Sequence, residues 1–272
     1  MKSTLEKVQD IKDHGYRLDI GEVISQTFEN YKKIALLTGG IIIVLVILFI
    51  VLVLGIGAVL GLAINFTDFL TDYSVGNFSA ITLLIKMGVT VLIGALMSPI
   101  TAGIMQIAHN AETNQDFDFS TAFVHYKTKY FKDLFLATLI IAFTSSALET
   151  IIKLSQLYFF DVILTTLLGI ISFFFSLLVT LFTLLTVPFI IFGNLSAMDA
   201  IKASITTVSK RFWIILLVMI ICFLCAMMGI LALCIGIFFT ISLYISAQYI
   251  IYRNAIPMDE KDELDEIGSS EY

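Results

Sequence analysis

Long apolar runs broken by short charged stretches dominate this chain. Ile41–Leu54 and Leu164–Val187 carry no charge at all and show no alternation of apolar and polar positions. A run of about 20 apolar residues crosses a bilayer as a helix, because hydrocarbon offers no partner for an unpaired backbone amide. A membrane β-barrel would instead alternate with period two. The pattern predicts apolar spans at about 34–63, 82–108, 131–156, 162–193, 212–229 and 231–252. The last two merge into about forty residues, and one helix of that length would measure about 60 Å, twice the hydrocarbon thickness. A tight hairpin is therefore expected around Met227–Gly229, giving an all-α membrane protein with six transmembrane helices.

The polar flanks carry a second pattern. Ile20, Val23, Ile24, Thr27, Phe28, Tyr31 and Ile34 recur at three- and four-residue steps, with Asp19, Glu22, Gln26, Glu29 and Asn30 between them. One face is oily and the other polar, the mark of an amphipathic helix lying in the headgroup plane. Asp19 followed by Glu22 suits its N-terminal cap. A similar stripe precedes the third span (Phe119, Ala122, Phe123, Tyr126, Tyr130, beside Lys127, Lys129 and Lys132). Another precedes the fifth (Met198, Ile201, Ile205, Val208, Phe212, beside Lys202, Lys210 and Arg211), opening on Ser196-x-x-Asp199. Phe28, Tyr31, Lys32, Lys33, Tyr126, Lys127, Lys129, Lys132, Lys210, Arg211 and Trp213 are the expected lipid-interface residues, with lysine and arginine on phosphates and the aromatic rings at the interface. The exits of spans two and four carry Pro99 and Pro188, and Ser242 stands in the comparable place in span six. The chain thus reads as three parallel two-helix repeats (about 18–110, 116–194 and 195–256), each preceded by an amphipathic interfacial helix. Residues 1–17 form a polar, loosely helical leader. Residues 257–272 form an acidic tail, DEKDELDE at 259–266, too charged to bury.

Composition agrees with the pattern. Of 272 residues, 58% are hydrophobic and 14% charged, with mean hydropathy +0.97, outside the range of soluble domains. Among sixteen lysines and arginines only Lys86 and Lys153 fall toward one side, and all others flank the opposite side. Basic loops stay cytoplasmic, so both termini are expected in the cytoplasm of a prokaryotic inner membrane. The net charge of −6 owes much to the acidic tail and so says little about nucleic acid; no nucleic-acid partner is expected. The first apolar run is too long for a secretory signal. Cys222, Cys225 and Cys234 lie in apolar sequence without nearby His or acid, which favours packing over redox or zinc chemistry.

GEVISQTFENYKKIALL (21–37), the Pro99–Gly103 exit, AMDAIKASITTVSKRFW (197–213) and LCIGIFFTISLYISAQYIIYRN (233–254) resemble a widespread group of uncharacterised prokaryotic six-span integral membrane proteins. That group is similar to the membrane domain fused to some glycerophosphodiester phosphodiesterases. The resemblance spans roughly 18–256 and implies a six-span fold in the membrane; Ser242 departs from the proline usual in the group. No segment reads as the soluble catalytic domain, so its metal-dependent chemistry is not carried over.

Candidate chemistry is sparse. Glu149 and Lys153 are spaced for a helical ion pair, and with Thr144, Ser145 and Ser146 they make a candidate polar path; a snorkelling pair near the headgroups is the plainer alternative. Asp68 and Asp72 read as a solvated acidic loop rather than a calcium site. His109, Glu112 and His125 read as interfacial polar residues, with no metal-ligand spacing. Gly55, Gly57 and Gly61 have spacing that permits close helix approach. No catalytic residue, metal or cofactor is assigned. The expected function is a non-enzymatic integral membrane scaffold, assembly factor or accessory subunit that organises membrane lipids or a membrane-protein partner. The alternative is a transporter or flippase-like carrier of a small or lipidic substrate. A lipid enzyme would have only His109, Glu112 and Asp116 to work with.

Overall fold

A computed structural model describes residues 3–59, 80–156, 161–231 and 236–257. The described residues form α1 (Thr4–His14), α2 (Ile20–Val59), α3 (Ala80–Thr113), a 3₁₀ segment (Ser120–Tyr126), α4 (Phe131–Gln156), α5 (Val162–Phe182), α6 (Thr186–Ile191), α7 (Ala197–Lys210), α8 (Phe212–Leu231) and α9 (Gly236–Ala255). Among the described residues, four helical stretches are long and apolar enough to cross a membrane: Ile20–Leu52, Ala80–Thr113, Phe131–Ser155 and Ile163–Ile191. A fifth exists if α7 and α8, bent by 95° from one another, count as one span. The Asp68–Asp72 loop, Gly61, Cys234 and the acidic tail lie outside the described residues.

Packing is uneven along the bundle. Lys7 Nζ donates to Pro257 O at 3.0 Å, so the N-terminal helix and the end of α9 share one end, called here the near end. The buried core gathers there: Val8 and Ile11 of α1, Val23 and Ile34 of α2, Ile100–Ala111 of α3, Leu184–Ile191, Ala200–Val208 of α7, and Leu243–Ile256 around α9. The far halves of α2, α3 and α5 are apolar and largely exposed. Seven consecutive residues of α2, Val46–Leu52, are exposed around nearly two full turns, and most of α5 from Ile163 to Leu178 is likewise open. Large apolar areas on every side of a helix suit lipid.

α2 packs against α9, α3 against α4 and α8 against α9, and α2 and α9 run antiparallel, with Gln26 beside Asn254 and Thr38 beside Ser242. Two proline-bearing helices satisfy their backbones differently. Pro99 supplies no N–H to Ala95 O. The Ser98 hydroxyl donates to that carbonyl at 2.8 Å, and α3 continues unbroken to Thr113. Ahead of Pro188 the helix breaks at 183–185. There Ser204 Oγ donates to Phe182 O (2.7 Å) and accepts from Leu185 N (3.0 Å), so a side chain of α7 fills the gap between α5 and α6. Ser242, without proline's constraint, pairs with Thr38 of α2. Gly103 is required by a close approach: a Cβ there would meet Ala122 O at 2.1 Å and Ala122 Cα at 2.7 Å. The 3₁₀ segment therefore sits directly on the α3 backbone.

Several expectations change. The polar leader contains a capped helix: Glu6 N and Ser3 Oγ, and Ser3 N and Glu6 Oε2, form reciprocal bonds, and Val8 and Ile11 are buried. The first lead-in stripe does not turn into the headgroup plane. It continues as the first turns of α2, capped where Glu22 N donates to Asp19 Oδ1 at 2.9 Å, and its Val23, Thr27, Asn30 and Ile34 face protein. The second is a seven-residue 3₁₀ segment rather than an amphipathic α-helix, with an Asp118 side chain accepting from Ser120 and Thr121 at its start. Only the third is a separate amphipathic helix turned away from its span. Met227–Gly229, where the hairpin is expected, is helical, since α8 runs through to Leu231; α8 and α9 pair with each other, and residues 232–235 between them lie outside the described residues. Gly55 makes no close helix approach, as a Cβ there meets nothing within 4 Å. His109 and His125 are buried within the protein.

Candidate functional site

Where α2, α3 and α9 meet at the near end, polar side chains pair across the helices. The amide of Asn30 donates to Ala108 O of α3 at 2.7 Å, while its oxygen accepts from Ser246 Oγ of α9 at 2.9 Å. One side chain thus ties three helices. Nearer the end, Asn254 Nδ2 donates to Gln26 Oε1 at 2.8 Å, and Arg253 pairs with Glu112. Deeper, Thr38 hydrogen-bonds Ser242, and its hydroxyl also donates to Ile34 O. Asn30 and Thr38 are eight residues apart, about 12 Å along the axis. The polar column therefore reaches into apolar sequence and stops at Ile41. His109 Nδ1 and Tyr249 OH lie 3.0 Å apart. The His109 ring also packs on Phe192 at 5.0 Å, and Phe189 meets Tyr252 edge-on at 5.1 Å. This aromatic cluster adds α6 to the clamp. Chemically, such a column cross-links helices: its amide and hydroxyls are engaged with one another in a low-dielectric setting, where unpaired polar groups are costly.

The expected lipid-interface residues divide in two. Some are occupied by protein. Phe28 and Tyr31 are half-buried and meet edge-on at 6.4 Å. Lys33 Nζ reaches back to Ala111 O at 3.2 Å, at the C-terminal end of α3 where cations are favoured. Tyr126 OH donates to Leu96 O at 2.7 Å, and Arg211 Nε donates to Tyr16 O at 2.5 Å. Burial raises the Tyr16 phenol above its ordinary value, and the nearby Arg211 charge partly opposes that shift. Others stand exposed: Lys32, Lys127, Lys129, Lys132, Lys210 and Trp213. Trp213 is 76% exposed beside Phe212, and Lys129 Nζ lies 5.1 Å from the Tyr130 ring centroid. The lysines around α4's start are brought to α7 by two ties. Tyr130 OH donates to Asn194 at 2.5 Å, and Asp133 caps α7 by accepting from Ala197 N at 3.0 Å.

The candidate polar path residues bond to their own helix, α4. Thr144, Ser145 and Ser146 donate to Ile140 O, Ile141 O and Ala142 O of their own helix, and Lys153 pairs with Glu149 one turn away. His125 sits under the 3₁₀ segment with Nδ1 3.3 Å from Thr128 Oγ1, and burial pushes its pKa down to about 4. Asp118, exposed in the same loop, is held below the ordinary carboxylate range by its hydrogen bonds, first from the Ser120 side chain. Among the described residues no group of three His, Cys, Asp or Glu could hold a metal ion. Sequence reasoning missed the cross-helix role of Asn30, Thr38, Ser246 and Asn254, although their eight-residue spacing on each of two apolar helices was available as a signal. Comparison with protein-family models, with curated proteins and with solved structures finds no match.

Proposed function

We propose that this chain is a non-enzymatic, six-span module of a prokaryotic cytoplasmic membrane that organises lipids or a membrane-protein partner. The observation that carries this reading is the near-end column, whose Asn30, Thr38, Ser242 and Ser246 bond to one another and to backbone. A column paired in this way resists opening, whereas a carrier needs its midplane polar groups available to cargo. The exposed apolar far halves suit a surface met by lipid or by another membrane protein. Six crossings with cytoplasmic termini draw support from the Lys7–Pro257 contact, because termini on one side require an even count. The basic residues flanking that end favour the cytoplasmic side. The three-hairpin plan draws support from the closure of α9 onto α2, although the three lead-ins have diverged in shape.

The test is lipid translocation in proteoliposomes holding fluorescent phospholipid in both leaflets. Adding an impermeant quencher should remove only the outer-leaflet signal. Loss of the inner-leaflet signal in protein-containing vesicles alone would make the chain a flippase-like carrier.

A further inference from the structure

The three basic, aromatic lead-ins look alike in sequence, yet only one ends with a face open along its whole length. On α7, Ala200, Ala203, Ser204, Thr207 and Val208 are buried against α1, α4 and α6. The opposite edge, Met198, Lys202, Ile205 and Ser209, is exposed at steps of four, three and four residues. That edge is about 16 Å long. Because α7 turns 95° from α8, a membrane-crossing α8 sets α7 parallel to the bilayer surface. Trp213 and Lys210 close one end of the edge, and Lys129 and Lys132 approach the other through the Tyr130–Asn194 and Asp133–Ala197 ties. Asp199 and Asp133 lie at the α7 N-terminus, the end away from Lys210: Asp199 accepts from Ser196 Oγ at 2.7 Å, and Asp133 accepts from Ala197 N. Apolar Met198, Ile205 and Trp213 are thus interleaved with positive charge, the chemistry that fits an anionic headgroup layer over acyl chains.

We propose that the outer edge of α7 is the chain's dedicated contact for anionic phospholipid, with Lys202 and Lys210 as its selective residues. The first lead-in, whose stripe is buried by α9 and α3, does not serve in this way. This inference rests on the reading of the chain as a membrane module and deepens it by naming the lipid class and the face.

Trp213 is the chain's single tryptophan, so it reports on this face alone. The full-length protein is reconstituted in nanodiscs of phosphatidylcholine containing a minor fraction of lipid with brominated chains, either phosphatidylglycerol or phosphatidylcholine. The result expected is stronger Trp213 quenching by brominated phosphatidylglycerol at equal mole fraction, reduced at high salt. Neutralising one lysine should weaken the preference about fivefold, the equivalent of about 1 kcal/mol per basic residue at an anionic surface. The double variant Lys202→Gln, Lys210→Gln should abolish it, while Lys32→Gln leaves it intact. Equal quenching by the two lipids in the unaltered chain overturns the proposal, as does a preference that survives the double variant. Quenching by neither lipid, with Trp213 also shielded from aqueous acrylamide, would assign the face to a protein and overturn it as well. Each of these outcomes leaves the lipid-translocation result untouched, so failure here is distinguishable from failure of the module reading.

Discussion

Replacing Gly103 by alanine tests the near-end packing, because two physical effects predict opposite signs. Within an isolated helix, Gly→Ala stabilises by about 0.5–1 kcal/mol. At this position the new Cβ would stand 2.1 Å from Ala122 O and 2.4 Å from Ala122 C. An ordinary contact needs about 3.5 Å, so the 3₁₀ segment must retreat by more than about 1 Å. The obstructing atoms are backbone, which cannot rotate away as a flexible side chain could. Forcing extra volume into such a site costs about 1–3 kcal/mol. The retreat also strains the Tyr126–Leu96 hydrogen bond, worth about 1 kcal/mol. The net expectation is a loss of about 2 kcal/mol, or a fall of about 5 °C in the midpoint of thermal unfolding. The assay is thermal unfolding of purified Gly103→Ala in detergent, followed by reaction of the buried Cys222 thiol. Trypsin cleavage after Lys127 and Lys129 should accelerate in parallel. An unchanged or raised midpoint would refute the reasoning, since it would mean that helix propensity alone governs position 103.

Two further outcomes follow from the same geometry. His125 has a folded pKa of about 4, below its ordinary 6.5, so between these values the unfolded chain binds more protons. Stability is complete above about pH 6.5 and falls as pH drops toward 4, by about 2 kcal/mol between pH 7 and 5; His125→Phe should flatten that slope, measured by unfolding midpoints across the pH range. Thr38→Val and Ser242→Ala should interact in a double-mutant cycle by about 0.6 kcal/mol, as interhelical hydrogen bonds in membranes do, and additive effects would show that the pair is uncoupled.

The class of this fold was legible because burial in lipid demands long, uncharged helices, and Ile41–Leu54 and Leu164–Val187 meet that demand without tertiary help. The caps at Asp19 and Ser196 were also legible, since short polar side chains bond the first free amides of a helix locally. What amphipathicity alone could not decide was the medium against which each oily stripe packs. The stripes at 20–34 and 198–212 have similar periodicity, yet α2 buries its residues Val23 and Ile34 in protein while α7 leaves Met198 and Ile205 open. The difference comes from α9, whose Ser246 and Asn254 supply partners to Asn30 and Gln26 more than two hundred residues away in sequence. Likewise, Gly103 looked no different from Gly55 until the 3₁₀ segment was placed on it.

The central claim, that the near-end polar column is sealed by its own hydrogen bonds, is tested most directly by cysteine accessibility in intact cells and in inside-out membrane vesicles. Ser242 and Ser246 are each changed to cysteine in a background lacking Cys222, Cys225 and Cys234, and a charged, membrane-impermeant maleimide is applied from either side. Lys127→Cys and Leu70→Cys serve as references for the two aqueous faces. The account predicts that Lys127→Cys reacts only from the cytoplasm, Leu70→Cys only from outside, and Ser242→Cys and Ser246→Cys from neither. Reaction of either column position from one side or both would contradict it, revealing an aqueous route into the bundle and a carrier in place of a scaffold.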